Sequence, residues 1–234
     1  MIDRDRKFIF VHIPKTGGTS LVTALYATKQ KRTHTPFRIY ERGMISYLAQ
    51  RNIAVIAESE IRALFKEKVK ELLRSRHFAS DLSGYRSFSI VRNPWDRTVS
   101  WYKNVTRDEY HWRPLRVDPS IDFASFVRQY LHVHWALRPQ TYWLSSWSGE
   151  VGVERVFRLE DAPQVWTQIS DYIGVPIPLV HENAAPDQRP YQEFYDSETR
   201  NLIATTYADE IERFGYKFSD PIRETRPFTP TQFT

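Results

Sequence analysis

Short segments with a strand-like pattern alternate along the chain with segments that have helical spacing. Residues 7–13 (KFIFVHI) form a short apolar run that suits a buried strand, residues 86–92 (RSFSIVR) are a second buried-strand candidate, and residues 153–161 (VERVFRLED) are predicted as a third strand. Strands that alternate with helices indicate a parallel sheet covered on both faces. The pattern therefore predicts an α/β fold, a three-layer α/β/α arrangement around a central parallel sheet, with residues 1–234 as a single domain.

Apolar residues recur at helical spacing between and after these strands. The predicted helices cover residues 19–28, 59–74, 94–102, 121–131, 163–173 and 196–216. Asn93 is a favourable N-cap, and Gly174 suits the C-terminus of a helix. A further short strand candidate lies at residues 53–57. Residues 104–120, which are polar and rich in Arg and Pro, are predicted as a surface excursion.

The composition is that of an ordered globular chain. Hydrophobic residues make up 41% of the 234 residues, and 7 Trp, 13 Tyr and 14 Phe are more aromatic residues than a disordered chain carries. No apolar run approaches the length that spans a bilayer, and the N-terminus lacks a basic-then-apolar signal. The absence of cysteine excludes disulfides, zinc–thiolate sites and thiol nucleophiles. Together these features predict a cytoplasmic, bacterial protein.

The chain is basic, with a formal net charge of +5 and a pI of about 9.3. Basic residues cluster at residues 29–32 and 107–116. A solvated basic surface is the simplest interpretation, and an anionic small molecule or polyanion is a plausible partner. Nucleic acid is disfavoured because the sequence contains no recognisable nucleic-acid-binding motif.

The segment PKTGGTS, residues 14–20, has the layout of a phosphate-binding loop between the first strand and the first helix. Gly17 and Gly18 allow close approach of the backbone to a ligand, Lys15 adds a cation, and the helix N-terminus attracts anions. The hydroxyl donors of this loop are Thr16, Thr19 and Ser20. Because the lysine precedes the glycines, the fit to the G-x-x-x-x-G-K-[ST] loop of nucleoside triphosphatases is poor. For the loop alone, a tight turn that binds nothing remains an alternative.

A second strand-to-helix junction has similar chemistry. Arg92 lies at the end of the second strand, next to a helix N-terminus capped by Asn93, and Ser100 lies one turn beyond Arg97. A guanidinium, a hydroxyl and a helix end together form a second candidate anion site. Two such sites at the ends of neighbouring parallel strands predict a ligand with two separated phosphate groups.

These two motifs resemble those of a known enzyme family. HIPKTGGTSL is similar to the 5′-phosphosulfate loop, and IVRNPWDRTVSWY to the 3′-phosphate motif, of the sulfotransferases that use 3′-phosphoadenosine 5′-phosphosulfate (PAPS). The chain most resembles sulfotransferase family 2, the branch with the heparan 2-O- and chondroitin sulfotransferases and bacterial relatives. Further similar segments are HFASD (77–81), HWALRPQ (134–140), VFRLED (156–161), HEN (181–183) and residues 196–216. The resemblance covers almost the whole chain.

The resemblance implies a P-loop-like sulfotransferase fold and a metal-independent transfer of the sulfuryl group from PAPS to an acceptor hydroxyl, on a carbohydrate. The product would be 3′-phosphoadenosine 5′-phosphate (PAP). The loop would hold the 5′-phosphosulfate, and Lys15 would stabilise the charge that grows on the leaving phosphate. Arg92 and Ser100 would bind the 3′-phosphate, and Arg189 would belong to a segment that closes over the donor. Vertebrate relatives carry a membrane anchor and cysteines, so their Golgi location is not transferred to this chain.

Histidines supply the remaining candidates. By resemblance, His77 in HFASD is the general base that takes the proton of the acceptor hydroxyl, whereas composition alone favours a surface or capping histidine. His132 and His134 form a weak metal signal without a third ligand, so no metal site is predicted. The roles of His12, His134 and His181 stay open. The alternative functions are a P-loop kinase-like phosphotransferase and an inactive relative that binds nucleotide or glycan.

Overall fold

A four-stranded sheet organises the part of the chain that the structure describes. The computed structural model describes residues 1–26, 34–41, 82–162, 164–177 and 189–220. The strands are β1 (Ile2–Asp3), β2 (Phe8–Val11), β3 (Arg86–Val91) and β4 (Arg155–Arg158), in the spatial order β1-β2-β3-β4. β2, β3 and β4 are mutually parallel, and β1 pairs antiparallel with β2 at the edge. The three predicted strands are confirmed, and β1 was not predicted.

Helices cover both faces of this sheet. The α-helices are α1 (Gly18–Tyr26), α2 (Pro94–Arg107), α3 (Glu109–Leu115), α4 (Phe123–Tyr130), α5 (Gln140–Leu144), α6 (Gln164–Ile173), α7 (Ser197–Thr206) and α8 (Ala208–Phe214). Residues 37–41 are also helical. Short 3₁₀ helices occur at Trp135–Leu137, Leu159–Asp161 and Tyr191–Phe194.

Strand alternation divides the sheet side chains between two cores. Phe10, Phe88 and Ile90 pack with apolar residues of α1 and α6 on one face. Val11 and Val91 point to the other face, where they pack with Trp143 and Leu144 of α5 among others. Successive side chains of a strand point to opposite faces, so a strand that is apolar at every position must be covered on both. The predicted α/β fold with a mainly parallel central sheet is confirmed.

A third core lies among the helices that follow β3. Trp95, Val99 and Val105 of α2 pack with Phe126 and Val127 of α4 in a cluster that also includes residues of α7. Asn93 caps α2 as predicted, because its side chain accepts a hydrogen bond from the backbone N–H of Trp95 at 3.1 Å. This cap and the packed face together fix α2 at the end of β3.

Residues 104–120 lie mostly at the surface, as predicted, but this surface excursion is largely helical. α2 continues to Arg107, and α3 begins at Glu109 after Asp108 interrupts the helix with extended backbone angles. Trp112 and Leu115 of α3 pack against the helical core, which stabilises a segment whose Arg, Pro and polar content suggested a loop. Pro114 lies inside α3, one residue before its end, and lacks the N–H that would bond to the carbonyl of Tyr110.

Residues 196–216 form two helices instead of the single predicted one. α7 and α8 meet at Tyr207, whose backbone angles (φ −113°, ψ 25°) depart from helical values. The Tyr207 side chain is buried, and its hydroxyl donates to the carbonyl of Leu137. The break between α7 and α8 lies at the residue that makes this tertiary contact, and the helical spacing of the sequence does not reveal it. The strand candidate 53–57 and the helix predicted at 59–74 lie outside the described residues.

Candidate active site

Three parallel strands end at the same edge of the sheet, and both predicted anion motifs follow strands there. Residues 12–17 lead from β2 to α1, Arg92 and Asn93 lead from β3 to α2, and the 3₁₀ helix Leu159–Asp161 follows β4. Ligands of open α/β sheets bind beyond the carboxyl ends of the strands. The topology therefore brings the two motifs side by side in the place where a ligand is expected.

The glycines of the loop are required by close packing. Gly17 has a φ of 82°, and a Cβ atom built there would lie 2.8 Å from Leu159 Cδ1. A Cβ on Gly18 would overlap the imidazole of the buried His12. The sequence left the role of His12 open, and the structure shows that its ring packs on the first residue of α1. Side chains at either glycine would push the loop away from the rest of the sheet edge.

The hydroxyl residues of the loop differ in their surroundings. Thr16 is fully buried, and its hydroxyl donates to the carbonyl of Ile13 at 3.1 Å, which closes the turn from inside. Thr19 is partly exposed and Ser20 is buried, both in the first turn of α1. The side chain of Thr16 therefore shapes the loop, while Thr19 and Ser20 belong to the first turn of α1.

Lys15 lies in the left-handed region with a φ of 67°, although it is not a glycine. Its ammonium nitrogen Nζ donates to Asn104 Oδ1 of α2 at 3.0 Å. Burial, together with the positive charges of Arg92 and Arg107, lowers the pKa of Lys15 from 10.5 to about 8. The structure thus holds a partly desolvated ammonium in a positive field, an arrangement that favours binding of an anion.

Arg92 connects the two motifs directly. Its guanidinium makes a bidentate pair with Asp96, with Nε–Oδ2 and Nη2–Oδ1 distances of 2.8 Å, and Nη1 donates to the carbonyl of Lys15 at 3.1 Å. These bonds use three of the five N–H donors of the guanidinium. Burial opposes the charged form, but the adjacent Asp96 keeps the pKa of Arg92 above its ordinary value. Arg92 is therefore a fixed, permanently charged group beside the loop.

One side of α2 faces the loop. Asp96, Ser100 and Asn104 follow one another at intervals of four residues, so they lie on the same side of the helix. Asp96 pairs with Arg92, and Asn104 accepts a hydrogen bond from Lys15. Ser100, which is partly exposed, lies between these two contacts. The structure thus places the predicted residue Ser100 beside the predicted residues Lys15 and Arg92.

Arg97 lies inside the protein. Its side chain is 1% exposed, and it donates to the carbonyls of Pro14 at 3.2 Å and Arg138 at 2.9 Å and also to that of Ala136. By donating to these three carbonyls, the Arg97 guanidinium holds the start of the loop against residues 136–138. Its position contrasts with that of Arg92, one and a half turns earlier.

Arg189 is exposed, and its guanidinium carbon lies 4.5 Å from the centre of the Phe194 ring. Lys103 of α2 contacts the same ring, with its Nζ atom 4.6 Å from the ring centre. The structure therefore places Arg189 near α2 through Phe194. His77 and His181 lie outside the described residues.

Sequence reasoning did not single out Asn104, Asp108 or His111, which surround Lys15. The charges of Arg107 and Asp108 act on Lys15, and the charge of Lys15 in turn acts on His111. Burial lowers the pKa of His111, so its imidazole is neutral at physiological pH. The four-residue spacing of Ser100, Asn104 and Asp108 was visible in the sequence, but its significance depended on α2 continuing beyond residue 102.

His134 belongs to the helical core. Its Nδ1 atom accepts a hydrogen bond from Trp101 Nε1 at 3.2 Å, and burial lowers the pKa of His134 to about 4. Among residues 1–26, 34–41, 82–162, 164–177 and 189–220, no group of three or more His, Cys, Asp or Glu side chains is arranged to hold a metal ion. No helix within those same ranges has the length and apolar character needed to cross a membrane.

A comparison with protein-family models finds a match over nearly the whole chain. The model of the sulfotransferase family matches residues 1–217. Neither a search of curated proteins nor a search of solved structures finds a significant match. The matched range includes both anion motifs and all the residues described around Lys15, and it confirms the resemblance to sulfotransferase family 2. The chain belongs to the sulfotransferase family.

Proposed function

We propose that this sulfotransferase uses PAPS as its donor and transfers the sulfuryl group to a hydroxyl of a carbohydrate. The observation that carries the proposal is the direct contact between the two anion motifs, in which Arg92 Nη1 donates to the Lys15 carbonyl at 3.1 Å. A donor with phosphate groups at both the 5′ and 3′ positions of one nucleotide needs two anion sites next to each other. A nucleoside with a single phosphate group would need only one.

The donor site consists of two parts. Lys15, Gly17, Gly18 and the first turn of α1 hold the 5′-phosphosulfate, through an ammonium and the N–H groups of a helix N-terminus. Thr16 acts by closing the turn, and Thr19 and Ser20 belong to the first turn of α1. Binding of the 3′-phosphate is assigned to the free donors of Arg92 and to the hydroxyl of Ser100.

Arg189 is proposed to join the donor site when the site closes. Its guanidinium packs on Phe194, next to Lys103 of α2. A planar guanidinium on an aromatic ring keeps its charge while remaining partly exposed. Its contribution is to the electrostatic attraction of an anionic donor, not to the reacting atoms.

Lys15 is the group in this site that acts on the transferring bond. The donor supplies an activated sulfuryl group, whose transfer forms an S–O bond to the acceptor and breaks the S–O bond to the 5′-phosphate. Negative charge grows on the oxygen that leaves, and the Lys15 ammonium stabilises it. Since the ammonium is partly desolvated, its interaction with that charge is stronger than it would be in water.

The acceptor hydroxyl must lose its proton as the new S–O bond forms. His77 is proposed as the general base on the strength of the family resemblance. An imidazole that is neutral near pH 7 accepts a proton well. The acceptor is proposed to approach the end of α2 and α3, where Tyr110 is 85% exposed and Arg113 is also exposed. Exposed aromatic and basic side chains suit an anionic carbohydrate.

Calorimetric titration tests the donor assignment. Wild-type protein is titrated with PAP without metal, with AMP, and with ATP plus Mg²⁺. We expect PAP to bind about 10- to 150-fold more tightly than AMP, because a charge-assisted contact to the 3′-phosphate contributes about 1.5–3 kcal/mol. Preference for ATP with Mg²⁺ would overturn the proposal in favour of a phosphotransferase. PAP binding without sulfation of any sugar hydroxyl in a glycan panel would favour a binding protein instead.

A further inference from the structure

Three polar side chains lie fully buried behind the candidate site. Arg97 is 1% exposed, Gln140 of α5 is 0% exposed, and Glu210 of α8 is 1% exposed. Burial of charged and amide groups is unfavourable unless their hydrogen bonds are satisfied. The contacts of these three residues, which we call the buried brace, explain why the fold tolerates them.

Gln140 holds the main chain of Arg92. Its Oε1 atom accepts a hydrogen bond from the Arg92 N–H at 2.8 Å, and its Nε2 atom donates to the Arg92 carbonyl at 2.8 Å. Both backbone groups of Arg92 are thus paired by one side-chain amide, much as a neighbouring strand would pair them. The pairing occurs one residue after β3 ends, where the chain turns toward α2.

Glu210 fixes the orientation of that amide. Gln140 Nε2 donates to Glu210 Oε1 at 3.1 Å, and the backbone N–H of Gln140 donates to Glu210 Oε2. The two N–H bonds of Nε2 are then both used, one by Glu210 and one by Arg92. A flipped amide would place its oxygen against two acceptors. The Glu210 carboxylate therefore selects the one orientation of the Gln140 amide that pairs with both backbone groups of Arg92.

Arg97 extends the brace to the loop. It donates to the carbonyl of Pro14, immediately before Lys15, and to the carbonyls of Ala136 and Arg138, which lead into α5. Burial raises the pKa of Glu210, and the positive charge of Arg97 opposes that effect. One buried unit thus holds the backbone before Lys15 and the backbone of Arg92.

We propose that Arg97, Gln140 and Glu210 are positioning residues that set the distance between the two anion sites and so determine selectivity for a ligand with two separated phosphate groups. This inference rests on the proposed function. Neither Gln140 nor Glu210 touches the ligand. Small displacements of a binding group are enough to lose much of its interaction, because charge-assisted hydrogen bonds depend on geometry.

Two variants loosen the brace without removing a ligand contact. Gln140→Met keeps the length of the side chain and removes both hydrogen bonds to Arg92. Glu210→Gln keeps the shape but replaces one of the two accepting oxygens with an amide nitrogen, so one of the two Gln140 donors loses its acceptor. Thr199→Ala serves as the control, since it removes a capping hydrogen bond of α7 that does not involve the brace.

Titration of each protein with PAP and with AMP, below its unfolding temperature, tests the inference. We expect both brace variants to lose about tenfold in PAP affinity while AMP affinity changes less than about twofold. The control should keep the wild-type ratio of the two affinities even if it unfolds at a lower temperature. A wild-type ratio in Glu210→Gln, or an equal loss of ratio in Thr199→Ala, would overturn the inference. If the wild type itself does not prefer PAP to AMP, the proposed donor is wrong, which is a distinct outcome.

Discussion

Lys15 has a pKa of about 8 in the folded protein, against an ordinary value of 10.5. An anion that contacts its ammonium stabilises the charged form and returns the pKa toward the ordinary value or above it. Ligand binding must then take up protons wherever unbound Lys15 is partly neutral. We expect uptake of about 0.1 proton at pH 7, about 0.5 at pH 8 and about 0.9 at pH 9.

Calorimetry in two buffers of different ionisation enthalpy measures this uptake directly. PAP is the ligand, and neither buffer contains phosphate or sulfate, which would compete for the site. The phosphate groups of the ligand do not obscure the result, because their second ionisation has a pKa of about 6 and is complete at pH 8. Affinity should also fall as the pH rises above 8, because neutral Lys15 must first be protonated.

Lys15→Arg and Lys15→Met provide the controls. An arginine at this position stays charged across the range and should bind PAP with no uptake of protons, while methionine should bind weakly with none. Uptake below about 0.2 proton at pH 9 in the wild type would refute the reasoning. Equal uptake in Lys15→Arg would refute it as well, because the protons would then go to another group.

The same pKa has a consequence for stability. Between pH 8 and 10.5, Lys15 binds fewer protons in the folded state than in the unfolded state. The charged Lys15 therefore lowers the free energy of unfolding by its full amount below pH 8, and this loss disappears as the pH rises toward 10.5. Lys15→Met should therefore raise the melting temperature at pH 7 while cutting turnover by about a hundredfold or more. A melting temperature below that of the wild type at pH 7 would contradict this sign.

Further substitutions address the other parts of the site. Arg92→Ala should weaken PAP binding by about tenfold or more and leave AMP binding nearly unchanged, as measured by titration. His77→Ala should lower turnover by about a hundredfold and remove the acid limb of the pH–rate profile. His111 is the control histidine, and the His111→Ala variant should retain the acid limb of the pH–rate profile. Loss of this limb in His111→Ala but not in His77→Ala would identify His111 as the general base. Asn93→Ala should lower the free energy of unfolding by about 1–2 kcal/mol in urea denaturation, because it removes the cap of α2 and a partly buried hydrogen bond to the Lys217 carbonyl.

Local sequence patterns predicted the central strands and individual helix termini. A continuous apolar run identified β2, because a strand covered on both faces lacks polar alternation. Asn93 was identifiable as a cap from the residue types alone, as was Gly174, which follows the last residue of α6 with a left-handed φ of 71°. The glycine loop and Arg92 were predicted to be neighbours because parallel strands end at one edge, and their contact agrees with that reasoning.

Tertiary contacts account for what the sequence did not reveal. The pairing of Lys15 with Asn104 joins residues 89 positions apart. The interior position of Arg97 depends on the packing of residues 136–138 around its side chain. α3 was missed because Arg and Pro content suggested a loop, whereas the packing of Trp112 against the helical core decides the conformation.

The two cations of the site are held in opposite ways, and the difference matches the roles proposed for them. Arg92 is matched by Asp96 at 2.8 Å, so its charge is constant and is offset before a ligand arrives. Such a group can anchor a phosphate that is equally charged before and during the reaction. Lys15 has an amide oxygen as its partner and lies in a positive field, so its charge is unfavourable until negative charge develops beside it. An interaction that strengthens as the leaving oxygen becomes charged lowers the barrier, whereas one of constant strength only tightens binding.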